Sequence, residues 1–429
     1  MTFTLHVDAV RWRTHQDSVR DQVRALVRVG AEGATADAET ALGDLVPVAK
    51  GNGYGVGNVR LAREAARLGV PTLAVGTAFE LPAIATAFDG DLLVLAPYEP
   101  ADAIAAAAWD VELQSSYARR IILTIGSATA LTLALARATA LAPARVVIEG
   151  ITSTGRYGLQ ADEIDALLHS EAVRDAIAAG SLRLEGLALH EPMAQPGQDR
   201  RAVPGSRWHD ATIAPAPPVG ATERVHEVLS WALGWQRQLG DLSAAVVELT
   251  GSAPDGLSTS PALWLSHLTD DELATLRGAL PGVALQVRIG TRLWLGDREA
   301  LVARGTVLAV HDVTKGERSG YRQRRAPGDG MVLVVGGGTS HGVALAAPSP
   351  ATSMRQRVVT AGSGVLEAGG RAMSPFTVAG KQRWFAEPPH MHVSLIRVPG
   401  GIVVPPVGGQ VDCDVRLTTC YPDVVLGLD

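Results

Sequence analysis

Short apolar runs recur through residues 45–296, separated by amphipathic or alanine-rich stretches, and this alternation predicts repeated strand–helix units. The runs fall at 45–49, 72–75, 92–95, 111–113, 145–148, 182–189, 244–249 and 285–289, with helical material such as 161–179 and 223–239 between most of them. Eight strands alternating with helices predict an α/β fold closed into a parallel (β/α)8 barrel, an open doubly wound sheet being the alternative. After Gly296 the texture changes. β-Branched runs at 306–310, 331–335, 393–396 and 401–404 are separated by glycine and proline, which predicts a β-rich domain. The expected organisation is an N-terminal strand within 1–8 joining that β domain, a barrel over 9–296, and the C-terminal β domain over 297–429. Residues 191–222, rich in Pro, Gly, Asp and Arg, break the rhythm after the sixth predicted strand. They predict a long loop at the active-site end of the barrel, either a lid or specificity element or a plain surface excursion.

A length of 429 residues suits two domains, one of them large. The net charge of −6 argues against a general nucleic-acid binder, and the dense basic stretch at 318–325, with Tyr321 inside it, reads as a solvated hairpin face. No basic segment followed by an apolar one opens the chain, so no secretory signal is expected. The best candidate for a membrane span, 128–142, is interrupted by Arg137. Cys413 and Cys420 do not make a disulfide framework, and a reducing cytoplasmic location is expected.

Against 35 arginines the chain has three lysines, Lys50, Lys315 and Lys381. Lys50 closes the run Leu45-Val-Pro-Val-Ala49 and opens the loop Gly51-Asn-Gly-Tyr54-Gly-Val-Gly57. An amine at the buried end of a strand is desolvated, which lowers a reference pKa of about 10.4 toward the range where it attacks carbonyls. Schiff-base lysines are made this way, and a lysine snorkelling to water is the plain alternative. Other polar residues fall at predicted strand ends, where barrel enzymes place their chemistry. Arg156 follows the fifth run, His190 ends the sixth, Ser260 follows the seventh, and Arg288-Ile-Gly290-Thr291 ends the eighth. A lysine imine, a phosphate site and a pocket rich in arginine together describe pyridoxal phosphate bound to an amino acid.

The segment Lys50-Gly-Asn-Gly-Tyr54-Gly-Val-Gly57 resembles the lysine motif of the alanine racemase family, barrel-type pyridoxal-phosphate enzymes. Similarity continues through Leu73-Ala-Val-Gly-Thr-Ala-Phe-Glu80, Thr154-Gly-Arg-Tyr-Gly158, Gly186-Leu-Ala-Leu-His190 and Val287-Arg-Ile-Gly290, and more faintly through Lys315-Gly-Glu-Arg-Ser-Gly-Tyr321 and Leu417-Thr-Thr-Cys-Tyr421. The resemblance implies that Lys50 holds the cofactor as an aldimine and then serves as the base on one face of the substrate. It implies Arg288 at the pyridine nitrogen, and Ser260, Gly290, Thr291, Tyr421 and Tyr54 around the phosphate. His190 joins the cofactor-binding set, and Arg156 reaches the substrate carboxylate. It further implies a homodimer in which the β domain of one subunit caps the barrel of the other.

Departures from the family pattern change the picture. The family's second base, the tyrosine of a Gly-Tyr-Ala-Asp-Gly motif, finds its best match in Gly338-Thr-Ser-His-Gly342, which puts Thr339 at that place. A threonine hydroxyl is a far poorer base than a phenol, so His341 or Tyr321 becomes the candidate for the second proton step. Glu149 stands where family members often carry a carbamylated lysine and would supply a negative charge beside Arg156. Ile396 replaces an aspartate usual near the substrate channel.

The expected function is therefore a pyridoxal-phosphate-dependent amino-acid racemase or epimerase working through Lys50 and Cα deprotonation. Elimination, decarboxylation or aldol-type cleavage with one base is the alternative, and a catalytically reduced cofactor-binding homologue is another. Gly338-Thr-Ser340-His-Gly342 also spells a nucleophile elbow, which keeps a serine hydrolase in view. His390-Met-His392 with Cys413 or Asp414 raises a metal reading, against which two unrelated polar residues of an edge strand are the plainer one, so no metal is expected.

Overall fold

The structure is a computed structural model that describes residues 2–28, 43–139, 142–193, 220–252, 262–345 and 372–428. It divides into two compact units, one formed by Met1–His15, Gly51–Gly57 and Trp294–Asp429, the other by Gln16–Lys50 and Asn58–Leu293. The chain opens with β1 (Phe3–Val7) and α1 (Ala9–Val27). Then follow β2 (Leu45–Ala49), α2 (Asn58–Arg67), β3 (Thr72–Val75), α3 (Leu81–Ala85), β4 (Asp91–Val94), α4 (Ala103–Glu112), β5 (Ile121–Ile125), α5 (Ala128–Arg137) and β6 (Ala144–Gly150). The series ends with α6 (Ala161–Leu168), α7 (Glu171–Ala178), β7 (Leu182–His190), α8 (Glu223–Thr250), β8 (Ala262–Ser266), α9 (Asp270–Ala279), β9 (Ala284–Ile289) and α10 (Thr291–Leu295). Strands β2 to β9 form a closed parallel barrel, β9 returning to pair with β2. Its interior is a packed cluster of Val46, Val48, Ala74, Leu93, Ile122, Val147, Ala188 and Trp264. The barrel is thus a filled core, with chemistry confined to its rim.

Two of the eight expected strands are helix. Residues 111–113 finish α4, an alanine-rich helix whose Asp102 cap accepts from the amides of Ile104 and Ala105. The strand at that place is Ile121-Ile-Leu-Thr-Ile125. Residues 244–249 are the last turns of α8, started by the Thr222 cap and stopped by Gly251 at φ +74. Once a helix is nucleated each further residue adds a hydrogen bond at little cost, so the apolar run continued the helix where a strand was expected. The seventh barrel strand is instead β8.

In the second unit β1 pairs antiparallel with β10 (Leu301–Val313) and parallel with the last strand. The others are β11 (Arg318–Ser319), β12 (Arg324–Arg325), β13 (Gly330–Gly336), β14 (Met373–Val378), β15 (Lys381–Phe385), β16 (Val393–Pro399), β17 (Gln410–Cys413) and β18 (Val424–Leu426). The main sheet runs β13-β16-β15-β14-β17-β10-β1-β18, and β10 also pairs with β13, so six of its strands close a circuit. Residues 401–404, expected as a strand, form none. Pro405 and Pro406 follow them, lack amide donors and restrict the residue before, and pairing resumes only at β17. Among the described residues no helix is long and apolar enough to cross a membrane.

Candidate active site

Side chains alternate along a strand, so a residue two places beyond an inward one again points inward. Two places beyond the core residues Val48, Ala74, Leu93, Ile122, Val147, Ala188 and Trp264 stand Lys50, Gly76, Leu95, Thr124, Glu149, His190 and Ser266. Parallel register completes the layer, pairing His190 with Ser266 and Ser266 with Arg288. The apolar core therefore ends in a polar layer at the C-terminal ends of the strands, where barrel active sites form.

Lys50 is exposed in this layer, and among the described residues its amine has no hydrogen-bond or ion-pair partner. Partial burial, then Arg156 and Arg288, push its pKa down, with Glu80 acting weakly against them. Glu80 is fixed by the amides of Gly76 and Thr77, which donate to its Oε2 at 2.7 and 3.2 Å. A Cβ on Gly76 would lie 2.7 Å from that oxygen and 2.9 Å from the Lys50 Cβ, so only glycine leaves the lysine room.

Arg288 is buried; its Nη2 donates to the Leu189 carbonyl at 2.8 Å, its Nη1 lies 3.8 Å from Glu149 Oε2, and its Nε has no partner. Burial drives the Glu149 carboxyl up to about 7 despite the opposing pull of Arg288 and Arg156. His190 Nδ1 is 3.0 Å from the Ser266 hydroxyl. Burial first, then Arg288, Arg156, His267 and Lys50, bring its pKa down to about 3, so the ring is neutral at physiological pH. The guanidinium of Arg156 lies 4.2 Å over the Tyr157 ring and donates to the Tyr157 hydroxyl. Lys50, Glu149, Arg156, His190 and Arg288 are thereby brought together at one rim.

Three members of this rim escaped the sequence. His267, at φ +64, presents its ring edge-on to His190 at 4.8 Å, and its carbonyl accepts from Arg224 at 2.6 Å. Ser266 and His267 directly follow the apolar run 262–265, the same signal that marks His190, but the apolar run 244–249 competes with it for the seventh strand. Ser260 accordingly loses its assignment as the residue after strand seven, since it precedes β8; it lies outside the described residues. Glu80 was visible in the pattern Thr77-Ala-Phe-Glu80, a capping box that the structure forms.

The remaining candidates fall elsewhere. Gly290 and Thr291 follow β9 at the same end of the barrel, Thr291 exposed. Tyr54 belongs to the β-rich unit, buried in a turn at φ +55. There the Asn52 amide donates to the carbonyls of Leu417 at 2.8 Å and Cys420 at 2.6 Å, tying the glycine loop to the segment just before Tyr421, which is 60% exposed. Thr339 is exposed in the single turn Thr339–His341. His341 is buried; its Nδ1 accepts the Gly338 amide at 3.1 Å, its Nε2 faces Asp423 at 3.3 Å, and its ring packs on Phe3. The Ser340 hydroxyl donates to the Met391 carbonyl at 2.6 Å, and the described residues that follow it, as far as Leu345, form no helix of the kind a nucleophile elbow needs. Among the described residues no three His, Cys, Asp or Glu side chains are placed to hold a metal; His390 Nε2 is engaged by Glu387 at 2.6 Å.

A closed parallel barrel with a lysine, a neutral histidine and a buried arginine in its rim layer, followed by a β-rich unit, is an alanine-racemase-like architecture. Residues 34–211 match the family model described as alanine racemase, N-terminal domain. The alanine racemase of the D-cycloserine producer Streptomyces lavendulae shares 18% identity at a TM-score of 0.57, covering 100% of this chain and 97% of that one. The alanine racemase of Bartonella henselae, solved with covalently bound pyridoxal phosphate, gives 13% and 0.57, with 98% of each chain covered. A histidine racemase from Leuconostoc mesenteroides gives 16% and 0.55, covering 96% of this chain and 87% of that one. No curated protein matches.

Proposed function

We propose that the chain is a pyridoxal-phosphate-dependent amino-acid racemase or epimerase that removes the substrate α-proton with Lys50. One observation carries this reading: an amine of lowered pKa, unpartnered among the described residues, shares the barrel rim with a neutral histidine and a buried guanidinium whose Nε finds no acceptor among them. A buried N–H donor lacking an acceptor is costly, and a pyridine nitrogen is an acceptor that would satisfy the Arg288 Nε, so the residues present fit the cofactor. Lys50 and Arg288 would hold it, with His190, Gly290 and Thr291 beside them. When bound, pyridoxal phosphate supplies an aldehyde for the amine and an electron-withdrawing ring that acidifies Cα–H.

The chain's own residues do the rest. Lys50, as a free amine, accepts the proton on one face. Arg156 binds the carboxylate and orients that face. Neutral His190 adds no positive charge to the site. Glu149 partly balances Arg288, and an arginine at a ring nitrogen keeps its own proton, which tempers carbanion formation.

For the opposite face the two candidates differ in availability. Both His341 ring nitrogens are engaged inside the β-rich unit. Tyr321 is 85% exposed, its ring 4.5 Å from that of His390, while Glu387 holds His390 and accepts the amides of Tyr321 and Arg322 at 3.1 Å. An exposed phenol on a fixed backbone can be presented to the barrel of a second copy, so Tyr321 in a homodimer is the proposed second base. The test is incubation of the loaded protein with both enantiomers of many amino acids in heavy water, reading Cα exchange, inversion and new products. Inversion lost in Tyr321→Phe, with exchange of one enantiomer retained, supports the assignment. Exchange without inversion in the parent protein would instead mean one-base chemistry, and no exchange with a bound cofactor would mean a carrier.

A further inference from the structure

Arg156 sits on the turn after β6, and that turn has two anchors. The hydroxyls of Thr152 and Thr154 donate to the His190 carbonyl at 2.6 and 3.1 Å. Opposite, Glu227 of α8 takes the Ser153 amide on Oε1 at 2.6 Å and the Ser153 hydroxyl on Oε2 at 2.8 Å. A carboxylate that receives two donors from one residue fixes that residue in place. Beside it lies Glu191, the residue after His190, with 0% of its surface exposed and its carboxyl set against that of Glu227.

The charged groups facing Glu191 are Glu227 and Arg224 from α8 and Glu272 from α9. Arg224 is committed to Glu272 at 2.5 Å and to the carbonyls of Pro192 and His267. Among the described residues Arg224 is the cation that acts on Glu191, and burial and the neighbouring Glu227 outweigh it, pushing the Glu191 carboxyl well above the usual range.

We infer that Glu191 and Glu227 form a positioning pair for the Arg156 turn: a protonated Glu191 lets Glu227 remain ionised and grip Ser153, and ionising Glu191 sets two carboxylates against each other and loosens the turn. This rests on the substrate-binding role proposed for Arg156. The pair makes carboxylate binding pH-dependent through groups that never touch the substrate.

The probe is propionate, a carboxylate without an amine, titrated calorimetrically against the cofactor-loaded protein across pH, with carbon NMR of glutamate carboxyls in the same protein. A late-titrating carboxyl that disappears in Glu191→Gln is expected. Propionate affinity should fall about tenfold or more as that carboxyl ionises, and Glu191→Gln should retain only the slope due to Lys50. Glu227→Ala should bind weakly at every pH; should it fail to fold, Ser153→Ala, which removes half the grip, should bind about 3- to 10-fold more weakly. Propionate binding that ignores Glu191→Gln, Glu227→Ala and Ser153→Ala overturns the pair alone, as does a Glu191 signal in the ordinary carboxylate range. Absence of propionate binding at any pH overturns the role of Arg156 and this inference with it.

Discussion

The barrel rim and the Gly338–Gly342 turn of the β-rich unit both gather histidine, hydroxyl and acid side chains, yet they are built in opposite ways. At the rim, among the described residues, an arginine Nε lacks an acceptor and the lysine has no partner, and a carboxyl is held at about 7. In the turn, His341 has a contact at each ring nitrogen, Ser340 donates to a carbonyl, and Asp423 also accepts the Phe3 amide at 2.8 Å. Folding ordinarily satisfies buried polar groups, so unsatisfied ones mark a place reserved for something else. The comparison separates residues that resemble catalysts in sequence from residues left available for chemistry.

Several substitutions would break or sharpen that contrast. Lys50→Ala should abolish the visible absorbance of bound cofactor and reduce Cα exchange by at least about 10³-fold, read by absorbance and heavy-water NMR. Retained colour and exchange would remove the rim from contention. Arg288→Leu strands Glu149 without its cation and should cost about 3 kcal/mol in urea unfolding at pH 8, and less at pH 6, where Glu149 takes up a proton. The sign follows from the raised carboxyl. From the ordinary value of 4.5 up to about 7 the folded state holds a proton that the unfolded chain has released, so stability falls as pH rises through that window. Glu149→Gln should flatten the decline. His341→Ala orphans the buried Gly338 amide and should cost about 1–3 kcal/mol while leaving the exchange rate per folded molecule unchanged. Thr339→Val, on an exposed side chain, should shift stability by no more than about 0.5 kcal/mol and leave turnover alone.

Much of the rim was legible in the chain. Lys50, Glu149 and His190 each lie two places beyond an apolar inward residue at the end of an apolar run, and Arg288 lies two places beyond the inward Gln286, so the strand ends can be read without coordinates. Ser266 and His267 lie at the same kind of strand end and were missed because Ala244-Ala-Val-Val-Glu-Leu249 was read as a strand. Local composition does not reveal that a helix begun at Thr222 is still running there. The pairing of Glu191 with Glu227 was not legible either, because it joins a strand end to a helix across residues whose spacing carries no periodic signal. His341 was singled out for its residue type, and only its surroundings show that both nitrogens are already used.

The Asn52 amide spans 365 and 368 residues of sequence to reach its two carbonyls. A ribosome exposes Lys50 and its glycine loop long before it delivers those acceptors, so this clasp closes only after Cys420 has been made. The loop next to Lys50 therefore becomes ordered late in synthesis.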